Sequence, residues 1–142
     1  MSLLLDVNVL VYAHRVDAPD HAAWRSWLED QLRQDEPLLL PEAVLVGFLR
    51  VVTLPAWKQP SPLDAALRFV DAVRIQPVSS ICRPGLRTWA TFAALCRESG
   101  ATGNRVPDAW LAALAIEHGA TLVTADRGFA RFPGLSWRHP LR

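Results

Sequence analysis

Lysine is nearly missing from this chain: Lys58 is the only one among 15 basic residues, and the rest are arginine. Cysteine is scarce too, and Cys82 and Cys96 show neither CxxC nor metal-ligand spacing, which excludes a thiolate metal site and points to reduced thiols inside a cell. No apolar run is long enough to cross a bilayer. No basic segment precedes the first apolar run, and Asp6 interrupts that run early, so a signal peptide is not expected and the expected compartment is the cytoplasm. Internal repeats, low-complexity segments and a glycine-rich nucleotide loop are all absent. Nothing marks a serine or cysteine as a nucleophile.

What is present is a mixed chain of 142 residues, 51% hydrophobic and 20% charged, with a net charge of +1. That length and balance predict one soluble domain, residues 1–142, with a sizeable core. The arginines include Arg127, Arg131, Arg138 and Arg142, crowded near the end. An arginine fork can donate two parallel hydrogen bonds to one phosphate, although any single arginine also serves as an ordinary solvated charge.

Strand and helix signals alternate along the chain. Leu3 to Val11 reads as a strand covered on both faces, broken only by Asp6 and Asn8. Asp20 is placed to cap a helix to about Gln34, with Ala23, Trp24, Trp27, Leu28 and Leu32 at helical spacing. Pro37 to Leu40 reads as a second strand, and Pro41 opens the helix EAVLVGFLRVV, apolar almost all round and therefore expected to be largely buried. After the proline-rich loop LPAWKQPSP, the trio Ser61, Pro62 and Asp64 predicts a helix start, running to about Arg74. A short strand near Gln76 to Ser79 follows, then a helix from Pro84 to Glu98 closed by Gly100. Asn104 to Val106 reads as loop, Pro107 as a helix start, Thr121 to Thr124 as a strand and Ser136 to Arg138 as a last strand. This βαβα order predicts an α/β domain with a mainly parallel sheet and right-handed crossovers.

Three aspartates carry the chemistry. Asp6 lies in LLLDVNVLVYA, Asp108 in RVPDAWLAALAIEHG and Asp126 in TLVTADRGF, each beside an apolar run. A carboxylate at the tip of a buried strand costs several kcal/mol when unpaired, and one shared divalent cation would compensate all three. Asp108 after Pro107 equally suits a helix first turn, and Asp126 equally suits a tight turn. Asp6 has no such ordinary use within an apolar strand. Sites in open parallel sheets form beyond the carboxyl ends of the strands, so the acids meet only if the first strand and TLVT are neighbours. Asn8, two residues beyond Asp6, falls on the same side of the expected strand and is placed to orient a carboxylate or water. Glu42 is a candidate fourth acid, or a glutamate favoured by the helix dipole.

LLLDVNVLVYA, PEAVLVGFLRVVT and GNRVPDAWLAALAIEHGATLVTADRGFARFPGL together resemble the successive blocks of the PIN-domain ribonucleases, and most of all the VapC-type toxins of bacterial toxin–antitoxin pairs. The resemblance implies a three-layer α/β/α fold, a Mg²⁺ or Mn²⁺ site, and hydrolysis of phosphodiester bonds in RNA, with tRNA or rRNA as the expected substrate class. It places Asp6, Asp108 and Asp126 as metal-holding acids and Asn8 and Thr124 as supporting polar residues. Asn104 and Arg127 become candidates for substrate contact. It also implies a homodimer and a VapB-like antitoxin partner. Two positions depart from the family pattern: Gly47 stands where many members carry an acid inside the helix, and Gly128 stands where a further acid is sometimes found.

Six tryptophans fit core or dimer-interface roles, and Trp24 with Trp27 also fits a groove for a partner segment. Two rival readings follow from the same residues. One is a PIN-type RNA-binding or adaptor module with metal affinity too low for turnover, favoured by Gly47 and Gly128. The other is a phosphatase with Asp6 as nucleophile, which Asn8 and the lack of a nearby lysine disfavour.

Overall fold

Burial on both faces dictates the centre of this molecule. The computed structural model describes residues 1–142, and its first strand, β1 (Leu3–Leu5), is sealed from solvent at every residue. β1 is flanked by two parallel neighbours, β2 (Leu38–Pro41) and β4 (Thr121–Val123); β3 (Ser79–Cys82) and β5 (Trp137–Arg138) form the edges. The sheet is parallel throughout, in the order β3-β2-β1-β4-β5. Leu5 is paired with Val123, so β1 and β4 end level with each other. Six helices flank the sheet: α1 (Val7–His14), α2 (His21–Leu32), α3 (Glu42–Val52), α4 (Leu63–Arg74), α5 (Thr88–Ser99) and α6 (Arg105–Glu117). The result is the expected α/β/α arrangement, and no helix is long and apolar enough to cross a membrane.

Several local expectations are corrected. The apolar run from Leu3 to Val11 is not one strand: it ends at Leu5, and Asp6 caps α1 by accepting a hydrogen bond from the Val7 amide at 2.7 Å. A continuous apolar run fits a buried helix as well as a buried strand, and here the aspartate N-cap decides. Asp20 precedes α2, but it sits at φ 57° and makes no side-chain cap. Packing anchors that helix instead: the His21 ring bonds the Tyr12 carbonyl at 2.8 Å, and Trp24 is buried between Tyr12 and His139. Trp24 therefore belongs to the core and does not line a partner groove, while Ala23 is exposed.

Helix α3 is less enclosed than its composition implies. Val44, Leu45, Phe48 and Val52 face the core, but Val46 is 66% exposed. Ser61 does not cap α4, which begins at Leu63; its hydroxyl meets His14 at 2.9 Å and Arg15 at 3.1 Å. β3 lies three residues later than expected, α5 starts at Thr88 rather than Pro84, and α6 already includes Arg105 and Val106, which read as loop. Gly100 closes α5 in the left-handed conformation at φ 65°, as its position predicts.

Candidate active site

The strand order reverses at β1 and β4: the chain winds outward to β2 and β3 on one side and to β5 on the other. Beyond the carboxyl ends of such a pair the outgoing loops diverge, and a crevice opens between them. Asp6 is the first residue after β1, and Thr124 is the first after β4. Asp126 follows two residues later, and Asp108 enters from the first turn of α6. All three aspartates line one cleft of about 700 Å³, as the expected adjacency of β1 and TLVT requires.

A small hydrogen-bond network fixes Asp6. Its Oδ1 takes the Val7 amide, and its Oδ2 accepts from Thr124 Oγ1 at 2.7 Å and Asn8 Nδ2 at 3.1 Å. Thr124 is fully buried, and its hydroxyl also accepts from Asn8 Nδ2 at 3.2 Å and from the Asp126 amide at 3.0 Å. Asn8 completes the link through Oδ1, which accepts from the Ala125 amide at 3.1 Å. Asn8 thus supports Asp6 as expected, though from the first turn of a helix and not from a strand. The pair spans the junction of β1 and β4, so the backbone that forms the sheet also aims the carboxylate.

Asp6 has no cationic partner. It is 9% exposed, and burial pushes its pKa up from 3.8 to about 6, against the pull of Thr124 and Val7 and with further upward pressure from the charges of Asp108 and Asp126. Burial also raises Asp108, partly offset by Arg105. Arg105 Nη1 donates to Asp108 Oδ2 at 3.0 Å and to Asp126 Oδ2 at 3.1 Å, while Asp126 Oδ1 caps the following turn at the Gly128 amide, 2.7 Å away. Arg105 was not singled out by the sequence reading. Its signal was present, an arginine three residues before Asp108 on one helix face.

Two other expected residues are not brought in. Glu42 is 69% exposed and lies 3.9 Å from Arg83, outside the cleft lining, so it is not a fourth acid of this site. Arg127 is exposed and does not line the cleft, whereas Asn104 does. Gly47 lines the cleft wall, and a Cβ there would stand 3.0 Å from Val7 Cγ2. Tyr12, Arg50 and Trp57 complete that wall. Tyr12 lies just past the expected strand end at Val11, and α1 carries it to the cleft one turn beyond Asn8.

The PIN domain family model matches residues 3–135. The chain belongs to the PIN-domain family. This PIN domain is 50% identical over 140 residues to a VapC ribonuclease of Mycobacterium bovis, covering 98% of this chain and 95% of that one. It is 41% identical over 138 residues to ribonuclease VapC25 of Mycobacterium tuberculosis, covering 96% and 97%. Among solved structures, it resembles VapBC2 from Rickettsia felis bound to a promoter DNA fragment, with a TM-score of 0.72, 22% identity and coverage of 97% and 98%.

The donor set of this PIN domain suits a hard divalent cation: carboxylates, an amide and a hydroxyl supply only oxygen ligands at the cleft. Asp6, buried and without a counter-charge, is the side chain that most needs one. No three acids form a ready cage, and Arg105 lies between Asp108 and Asp126.

Proposed function

We propose that this chain is a metal-dependent endoribonuclease toxin of a toxin–antitoxin pair, one catalytic unit spanning residues 1–142 that hydrolyses phosphodiester bonds in tRNA or rRNA in the cytoplasm. The observation that carries this reading is Asp6, a buried carboxylate with no cation beside it, aimed into the same cleft as Asp108 and Asp126. Close relatives carry the name ribonuclease, which supports RNA as the substrate.

Asp6 and Asp108 would hold Mg²⁺ or Mn²⁺, and Asp126 would hold one of its waters or orient the attacking water. A cation held there would supply Lewis acidity, lowering the pKa of water and neutralising charge on the phosphate. Thr124 and Asn8 hold Asp6 in place at the cleft, so that it would meet a cation without reorganisation. Arg50 and Asn104, which line the cleft, would contact the RNA backbone. The R. felis relative was solved as a VapBC2 assembly, which supports a VapB-like antitoxin as partner here.

The test is cleavage of a tRNA and rRNA pool by purified protein with Mg²⁺, Mn²⁺ or chelator. Asp6→Asn and Asp108→Asn are expected to lower cleavage by about 100-fold or more, whereas Glu42→Gln is expected to retain it. Full activity in either aspartate variant would overturn the site assignment. A second reading, a PIN-type RNA-binding or adaptor module with little turnover, draws on Arg105 between two of the acids. RNA binding without metal-dependent cleavage, in folded protein freed of any inhibitor, would favour it.

A further inference from the structure

The proposed centre contains one side chain that a carboxylate nuclease does not require. A single nitrogen of Arg105, Nη1, makes both contacts to Asp108 and Asp126, while Nη2 and Nε make no hydrogen bond within the protein. The guanidinium rests directly on Gly128: a Cβ at that position would lie 2.5 Å from Nη1, 2.7 Å from Nη2 and 2.9 Å from Cζ. Gly128 does not adopt a positive φ, so its backbone conformation is open to any residue. What the position needs is the missing side chain. Asp6, in the same cleft, has no ion pair and is held only by Val7, Asn8 and Thr124.

The cleft therefore has two electrostatic halves. At Asp108 and Asp126 a permanent positive charge is already seated, and at Asp6 none is. We propose that Arg105 is a built-in cation of this centre, which takes the place of a second divalent ion at Asp108 and Asp126 and restricts the site to one ion. The inference rests on the nuclease reading above and adds to it the number of ions and the residue that sets that number. Arginine suits the role because its guanidinium stays charged and its fork retains donors for a phosphate oxygen after one nitrogen is engaged. Gly128 gives it the space, which explains why a residue that departs from the acidic pattern stands there.

The experiment is a Mn²⁺ titration of wild type, Arg105→Gln, Gly128→Ala and Asp6→Asn, by calorimetry and by the electron paramagnetic resonance of free Mn²⁺. Wild type is expected to take one ion per chain. Arg105→Gln is expected to take a second, or to bind the first about tenfold tighter, since a cation in contact with the same carboxylates is gone. Gly128→Ala, which displaces the guanidinium without removing its charge, should shift affinity in the same direction by less. In chelator, Arg105→Gln should melt at a lower temperature than wild type and recover more on Mn²⁺ addition. Wild-type stoichiometry and affinity in folded Arg105→Gln, or in Gly128→Ala should the first variant not fold, overturn the role of Arg105 and leave the metal site standing. No Mn²⁺ binding by any of the proteins overturns the metal reading and this inference with it.

Discussion

Asp6 links stability to pH because its folded pKa, about 6, lies above its ordinary 3.8. Below the lower value it is protonated whether the chain is folded or not, and the fold bears no cost. As pH rises through the window between the two values the unfolded chain ionises first, so the stability this group contributes is lost and the loss is complete above about 6. The two values differ by about 2 units, roughly 3 kcal/mol. In metal-free protein, the stability difference between wild type and Asp6→Asn should therefore change by roughly that amount between pH 4 and 7, in the direction of wild type losing stability at the higher pH. Denaturant titrations in chelator at several pH values measure it. A difference that stays flat with pH would mean that Asp6 titrates normally and is not desolvated. Cys82 is the contrasting residue: its thiol is pushed up to about 11, first by burial and then by the charge of Glu117, so it remains an inert part of the core.

At the scale of elements, the proline-rich loop between α3 and α4 depends on one arginine. Arg15, just past α1 and 8% exposed, pairs with Asp17 at 2.6 Å, donates to the Gln59 carbonyl at 2.7 Å and to Ser61 Oγ at 3.1 Å, and lies 4.3 Å from the centre of the Trp57 ring. Arg15→Ala leaves the carbonyl without its donor and the ring uncovered, and should lower stability by about 2–3 kcal/mol. Arg15→Lys should recover only part, since a lysine cannot fork between Asp17 and the loop. Thermal and denaturant melts of the two variants decide this, and a loss below about 0.5 kcal/mol in Arg15→Ala would show that the loop holds without the clasp. The hold on the loop was not legible in the sequence, because Trp57, Gln59 and Ser61 lie more than forty positions from Arg15 and no local pattern announces them. The aspartates were legible for the opposite reason: a charge beside an apolar run is a local anomaly. The helix α1 was hidden because VNVLVYA is apolar and β-branched, satisfying the strand pattern until the cap at Asp6 is considered. Glu42 lies five residues before Gly47, a spacing that turns a side chain well away from Gly47 on a helix, and of the two readings open to it the exposed one beside Arg83 holds.

At the scale of the whole molecule, one order of strands explains both the site and a surface. Placing β4 beside β1 brings α6 to the cleft with Asp108 and also sets α5 against α6 on the outside. There Trp89, 69% exposed, packs at a tilt against Phe92 and Trp110, with Leu86 fully exposed three residues before it. Soluble proteins rarely leave such a contiguous apolar patch uncovered, and large aromatic rings contribute most to protein interfaces. The homodimer implied by the VapC resemblance is therefore expected to bury this face against a second copy. Sedimentation velocity should give a dimer for wild type in the micromolar range, and Trp89→Arg should shift it to monomer by placing an unpaired charge at the centre of the patch. Since Trp89 and Asp108 line the same neighbouring groove, the variant also separates two uses of that face. A monomer that still cleaves RNA assigns the aromatics to assembly, a dimer with impaired cleavage assigns them to substrate contact, and a wild type that is monomeric at every concentration removes the dimer altogether.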